Sequence, residues 1–326
     1  MGIKIWRHER PVTGPVRATE QDIDELNRVF SDSFTDRYRR DGMIGVRVPQ
    51  LNPDIWNYAI RDAGDGAMIW RDEDDRLLAF NMSHYSGAEG WMGPLAVRSD
   101  RQGEGFGKLI VGAAIEWLKD HNVTTIGLET MPRTMENIGF YGALGFLPRY
   151  LTVTMSSPSV RRSISPRYFL LGTADATQQN ELLERCRRSL QACAPGYDFT
   201  REHRLTEELG IGDTLLLEDE ARIRGFALWH SASLADDKRG DELRVLKLFA
   251  DSTETFERLL SALEKCASRR GIPRVTIRCQ TFFSQAFRSL TRRGYKVTWT
   301  DLRMTLDQFD EKLAVAGAIL LSNWEI

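Results

Sequence analysis

The chain is short of the groups that mark several large functional classes. Cysteine occurs only at 186, 193, 266 and 279 in 326 residues, all in the second half and never as C-x-x-C. The four read as reduced, buried thiols of a cytosolic protein, and no metal site is expected. A basic excess is also missing: 44 Lys and Arg stand against 46 Asp and Glu, a net charge of −2. With no basic stripe, a nucleic-acid partner is excluded. No apolar run is long enough for a membrane span. The opening "MGIKIWRHER" is too short and polar for a signal peptide, and Trp6 stands where a myristoylation signal needs Ser or Thr. A cytoplasmic monomer or homodimer without membrane contact is expected.

What is present is material for two α/β units. A length of 326 residues, with 42% apolar and 28% charged residues, suits two globular cores. The aperiodic "SSPSVRRSISP" (156–166) reads as a linker, dividing the chain into 1–155 and 168–326. Each side shows the same order of elements. In the first, "TEQDIDELNRVF" opens a helix with Thr19 and Asp22 as a capping pair. Strands follow at 67–71, 77–83 and 91–97, the first two joined by a solvated acidic turn, "RDEDD". A helix over 107–119 places Leu109, Ile110, Ala113, Ala114, Trp117 and Leu118 at helical spacing. Strand 124–130, a short helix around "ENIGFYGAL" and strand "RYLTVTM" complete the unit.

In the second half the same series returns, and Leu109 aligns with Leu259, Thr125 with Thr276 and Gly145 with Gly294, each about 150 residues on. A duplicated α/β fold with a mixed sheet follows.

The most informative stretch is "VRSDRQGEGFGKLI" (97–110), a strand running through Gly103, Gly105 and Gly107 into a helix. Side-chain-free backbone at a helix start binds anions through free amides and the helix dipole. It is not a dinucleotide fingerprint, because Ile110 replaces the third glycine. It is not a P-loop either, since Leu109 follows Lys108 where a hydroxyl is required. The pattern that remains is Q-x-x-G-x-G, on Gln102, Gly105 and Gly107. With "NIGFYGALGF" (137–146) it resembles the GNAT superfamily of N-acetyltransferases, over about 15–155 in element order and more faintly over 168–306.

That resemblance implies two tandem GNAT-like units and one acyl-coenzyme A, with acetyl-CoA as the donor. Its pyrophosphate would sit on Gln102, Gly103, Glu104, Gly105, Phe106, Gly107 and Lys108. Its pantetheine would lie along Leu95, Ala96 and Val97, beside the bulge or edge that Pro94 marks. Tyr141 would protonate the leaving thiolate and Glu129 would act as base. His84 and, by analogy with N-myristoyltransferase, the Ile326 carboxylate are the other candidate bases. The family's pantetheine-binding asparagine is absent, leaving Thr134 or Asn137 for that contact. The second copy is expected to be inert, with "LFADSTETF" in place of the glycine turn and Leu290 at the tyrosine position. The function implied is acetyl transfer to a small-molecule or N-terminal primary amine by direct attack in a ternary complex. A non-catalytic acyl-CoA sensor or assembly subunit is the alternative.

Overall fold

The structure is a computed structural model describing residues 11–159, 166–220, 222–236, 240–312 and 314–324. The opening decapeptide, most of the linker and Ile326 lie outside these residues.

The first half runs β1 (Thr13–Arg17), α1 (Ile23–Arg40), α2 (Pro53–Ala63), β2 (Ala67–Arg71), β3 (Leu77–Ser86), β4 (Glu89–Val97), α3 (Phe106–Asp120), β5 (Thr125–Thr130), α4 (Met135–Ala143) and β6 (Phe146–Pro158). The capping pair forms as expected, the Thr19 amide donating to Asp22 Oδ2 at 2.8 Å. Helix α2 was hidden from the sequence reading. Asn52 caps it by accepting from the Asp54 amide at 3.0 Å, Pro53 starts it, and Ile55 and Trp56 are fully buried. Two other expectations need correction. Leu109 is 49% exposed, so the apolar stripe of α3 rests on Ile110, Val111, Ala114 and Leu118. The acidic turn is not simply solvated: buried Asp72 accepts from the amides of Asp74 and Arg76 at 3.0 Å and pairs with Arg98 at 2.8 Å.

The second half runs β7 (Phe169–Leu170), α5 (Ala176–Cys193), α6 (Thr200–Leu209), β8 (Gly212–Asp219), β9 (Arg222–His230), β10 (Glu242–Ala250), α7 (Thr253–Arg269), β11 (Arg274–Gln280), α8 (Ser284–Arg292), β12 (Lys296–Leu306) and β13 (Ile319–Ser322). All four cysteines are free and buried.

One sheet spans both halves in the order β1-β2-β3-β4-β5-β12-β6-β11-β10-β9-β8-β7, with β13 beside β10. Neighbours are antiparallel except β4 with β5 and β10 with β11, the matching pair in each half. The last strands are exchanged. Strand β12 of the second half pairs with β5 of the first, Leu302 opposite Thr130 and Arg303 opposite Glu129. Strand β6 of the first half pairs with β11 of the second, Val153 opposite Cys279. The sheet is therefore continuous across the linker, and β12 carries second-half side chains into the first half.

Residues 318–323, near the end of the chain, are buried. Leu320 and Leu321 of β13 pair with Phe249 and Leu248 of β10. Beyond it the Trp324 ring covers the buried Lys247 ammonium at 3.4 Å, whose Nζ also donates to Ser322 Oγ at 2.9 Å. Glu89, held by Trp91 Nε1 at 3.0 Å and Ser322 Oγ at 2.5 Å, is the counter-charge.

Candidate active site

Strands β4 and β5 pair only from Glu89 to Met92 against Thr125 to Leu128. At Gly93 and Pro94 the register with β3 shifts, since Ser83 faces Met92 while Asn81 faces Leu95. This is the bulge expected from a proline inside a strand. Beyond it β4 and β5 part, and the gap opens into a cavity of 580 Å³. Leu95, Ala96 and Val97 line it along β4, and Leu128, Glu129 and Thr130 along β5.

The glycine turn closes one end. Gly105 is the N-terminal cap of α3 at φ 99°, and Gly103 has φ 84°, both in the left-handed region that a side chain disfavours. A Cβ at either would meet nothing within 4 Å, so both positions face open space. Among the described residues, the amides of Gly105, Phe106 and Gly107 donate to no other backbone group outside the regular elements. They are the orphan donors of a helix start, with the positive end of the dipole behind them. Gln102 shapes the turn from within, its Nε2 donating to the Val97 carbonyl at 3.1 Å, which also accepts from Ser33 Oγ at 3.0 Å. Gln102, Gly103, Gly105, Gly107 and Lys108 all line the cavity.

The side chains of Glu104, Phe106 and Thr134 are engaged elsewhere, which leaves the expected contact of 104 and 106 to their backbone amides. The Glu104 carboxylate pairs with Arg101 at 3.0 Å, and the Phe106 ring lies 5.2 Å from the same guanidinium, so both brace the turn from behind. Only their backbone remains available to a ligand. Thr134 is fully buried and donates its hydroxyl to Asp41 at 2.5 Å. Asn137 lines the cavity, with Nδ2 only 3.4 Å from Thr130 Oγ1, and is the one of the two that faces it.

Tyr141 also lines the cavity, from α4. Its ring packs against Phe140 at 5.1 Å and Phe146 at 6.1 Å, and its hydroxyl has no hydrogen bond among the described residues. Burial pushes the phenol well up, so it stays protonated, the state in which it can donate.

Glu129 also lines the cavity, yet its oxygens are occupied. Oε1 accepts from Thr152 at 2.5 Å and from Arg303 at 2.7 Å, while Oε2 is held by Arg278. Burial would raise this carboxyl, but the two guanidiniums outweigh it and hold the group below its ordinary value. A carboxylate so clamped is a weak proton acceptor. His84 is buried away from the cavity, its Nδ1 2.8 Å from Asp62, which Arg201 also binds at 2.9 Å.

The opposite wall comes from α1 and β12. Ser33, Phe34, Arg37, Tyr38 and Arg40 project from α1, and Trp299 and Asp301 arrive on β12 from the second half. Nothing local marked Trp299 or Asp301.

Among the described residues, the second half builds no equivalent glycine turn or tyrosine. The start of α7 is capped by its own chain, Ser252 Oγ accepting from the Thr255 amide at 3.1 Å, with Asp251 beside it. Leu290 is buried, and β13 lies along β10 where the first half leaves β4 free past its bulge. Calorimetric titration with coenzyme A should therefore give one site per chain. A second site of similar affinity would contradict this assignment.

Residues 24–146 match the model of the Acetyltransferase (GNAT) family. None of the curated proteins matches the chain. Among solved structures, a putative acetyltransferase from Pyrococcus horikoshii superposes with a TM-score of 0.63 at 16% identity, covering 94% of this chain and 92% of that one. A tandem GNAT protein from the clavulanic acid biosynthesis pathway gives 0.60 at 11% identity, covering 93% and 100%. Saccharomyces cerevisiae N-myristoyltransferase with bound myristoyl-CoA gives 0.61 at 10%, covering 91% and 82%. At these identities the structures speak for the fold, and the family match speaks for the first half. Residues 24–146 thus match the GNAT acetyltransferase family, which makes the first unit an acyltransferase unit, and the chain has a tandem GNAT fold whose second unit lacks the glycine turn and the tyrosine.

Proposed function

We propose that the protein transfers an acetyl group from acetyl-CoA to a primary amine, by direct attack of the amine in a ternary complex. The observation that carries this reading is the continuity of the 580 Å³ cavity, which joins the free amides of the glycine turn to the Tyr141 phenol. A pyrophosphate on those amides, with Lys108 adding charge, leaves the parted edge of β4 for pantetheine at Leu95, Ala96 and Val97. The thioester then reaches the end of the cavity where Tyr141 stands. Asn137, which lines the cavity, bonds the pantetheine arm. The amide near Val97 is the oxyanion donor, and Tyr141 protonates the departing thiolate.

Acetyl-CoA offered with primary amines, both small molecules and peptide N-termini, tests the reading by thiol release. Release that depends on the amine is the expected result. Tight coenzyme A binding with no release from any amine would instead favour a sensor.

A further inference from the structure

We propose that the second half supplies the base for the first, through Asp301 on the exchanged strand β12, with Trp299 and Tyr38 flanking the cationic head of the acceptor. The inference rests on the acyl-transfer reading and deepens it by assigning the acceptor end of the same cavity.

The argument begins with strand geometry. Residues 299, 301 and 303 alternate onto one face of β12. Arg303 stands opposite Glu129 and binds it, which fixes that face as the one looking into the cavity. Trp299 and Asp301 accordingly line it. Asp301 Oδ1 accepts from Trp299 Nε1 at 3.0 Å, and Oδ2 accepts from Arg278 at 3.0 Å. Arg278 grips Glu129 with the same terminal nitrogen, so one guanidinium ties two carboxylates together. Glu129 has a second guanidinium, from Arg303, and a hydroxyl from Thr152, while Asp301 has neither.

Shared unequally, the positive charge separates the pair. Burial and the charge of Glu129 push the Asp301 carboxyl up, against the pull of Arg278, while Glu129 is held down. A like-charged pair driven apart in this way divides the work, one member staying ionised and the other exchanging a proton. The groups around Asp301 are Arg278 of β11, Glu129 of β5 with its partner Arg303, Trp299 of its own strand and Tyr38 of α1, and Arg37 and Arg40 of α1 line the same cavity. The Tyr38 phenol is itself raised by burial and by the Asp301 charge. The Tyr38 and Trp299 rings lie 6.0 Å apart, tilted by 34°. With the Asp301 carboxylate beside Trp299, the two rings make an aromatic wall bearing one carboxylate, a surface that takes an alkylammonium.

The balance is simple. The bound ammonium first gives one proton to Asp301, which passes it to solvent, and the neutral amine nitrogen then forms the C–N bond at the thioester carbon. Asp301 takes the second N–H proton as the tetrahedral adduct collapses. The C–S bond breaks with its electron pair on sulfur, and Tyr141 protonates the thiolate. Solvent then carries the proton from Asp301 and restores that of Tyr141.

The experiment uses the full chain with acetyl-CoA and a panel of ethylamine, phenethylamine, spermidine and a glycyl peptide. Asp301→Asn should lower kcat by roughly a hundredfold and remove the fall in kcat as pH drops through the base's titration. Coenzyme A affinity and melting temperature should stay near wild type. Asp301→Glu should restore part of the rate together with that acid limb. Trp299→Ala should raise KM for the amine at least about tenfold with a smaller change in kcat. If wild type releases no thiol with any of the four amines, the acyl-transfer reading fails and this inference with it. If wild type is active and Asp301→Asn keeps its rate and acid limb, only the assignment of Asp301 falls. A loss of coenzyme A affinity equal to the loss of rate, in either Asp301 variant, also overturns it.

Discussion

Tyr141→Phe should cut kcat by roughly ten- to a thousandfold while leaving coenzyme A affinity and melting temperature almost unchanged. The structure separates the two roles a buried tyrosine can have. As packing, the ring against Phe140 and Phe146 is kept intact by phenylalanine. As a polar group, the hydroxyl has no protein partner among the described residues, so its removal strands no donor or acceptor. What the substitution takes away is a protonated phenol at the cavity wall, and burial keeps that phenol protonated at any working pH. No descending limb from this group should appear in the pH profile at neutral or mildly alkaline pH. Single-turnover measurements with saturating acetyl-CoA read the chemical step directly. A loss of affinity matching the loss of rate would make Tyr141 a packing residue, and an unchanged rate would remove it from the chemistry.

Gly105→Val should weaken coenzyme A binding by roughly a hundredfold or more, about 2.7 kcal/mol, and should also lower the melting temperature. Two effects act together. At φ 99° a β-branched residue is strained, which costs of order 1–3 kcal/mol whatever is bound. The new Cβ also points into open cavity, at the place a phosphate must reach to meet the amides. Gly105→Asn separates them, because asparagine tolerates positive φ and still places a Cβ in that space. Both variants should lose affinity, with asparagine keeping more of the stability. A folded Gly105→Asn chain that binds coenzyme A as wild type does would show that the anion sits elsewhere.

The glycine turn, the tyrosine and the bulged strand were legible in the sequence because each is a local device. Positive φ asks for glycine, an orphaned helix start asks for nothing in front of it, and a proline breaks a strand ladder where it stands. The two copies were legible for the same reason, since element order and hydrophobic period are properties of contiguous chain. Helix α2 and the neighbourhood of Glu129 were not. "PDIWNYAIRDA" is short and carries charges among its apolar residues, so only its burial between sheet and α6 settles it as a helix.

Glu129 stands at a place the sequence could mark as acidic, but its chemistry depends on Arg278 and Arg303, 149 and 174 residues away along the chain. The sequence by itself determined a GNAT-like unit, its glycine turn, its tyrosine and a second copy without either. Tertiary structure alone decided that β6 and β12 change places, and that Trp299 and Asp301 face the first unit's cavity. The exchange costs no local signal, because a strand pairs through its backbone and its sequence reads alike beside either partner.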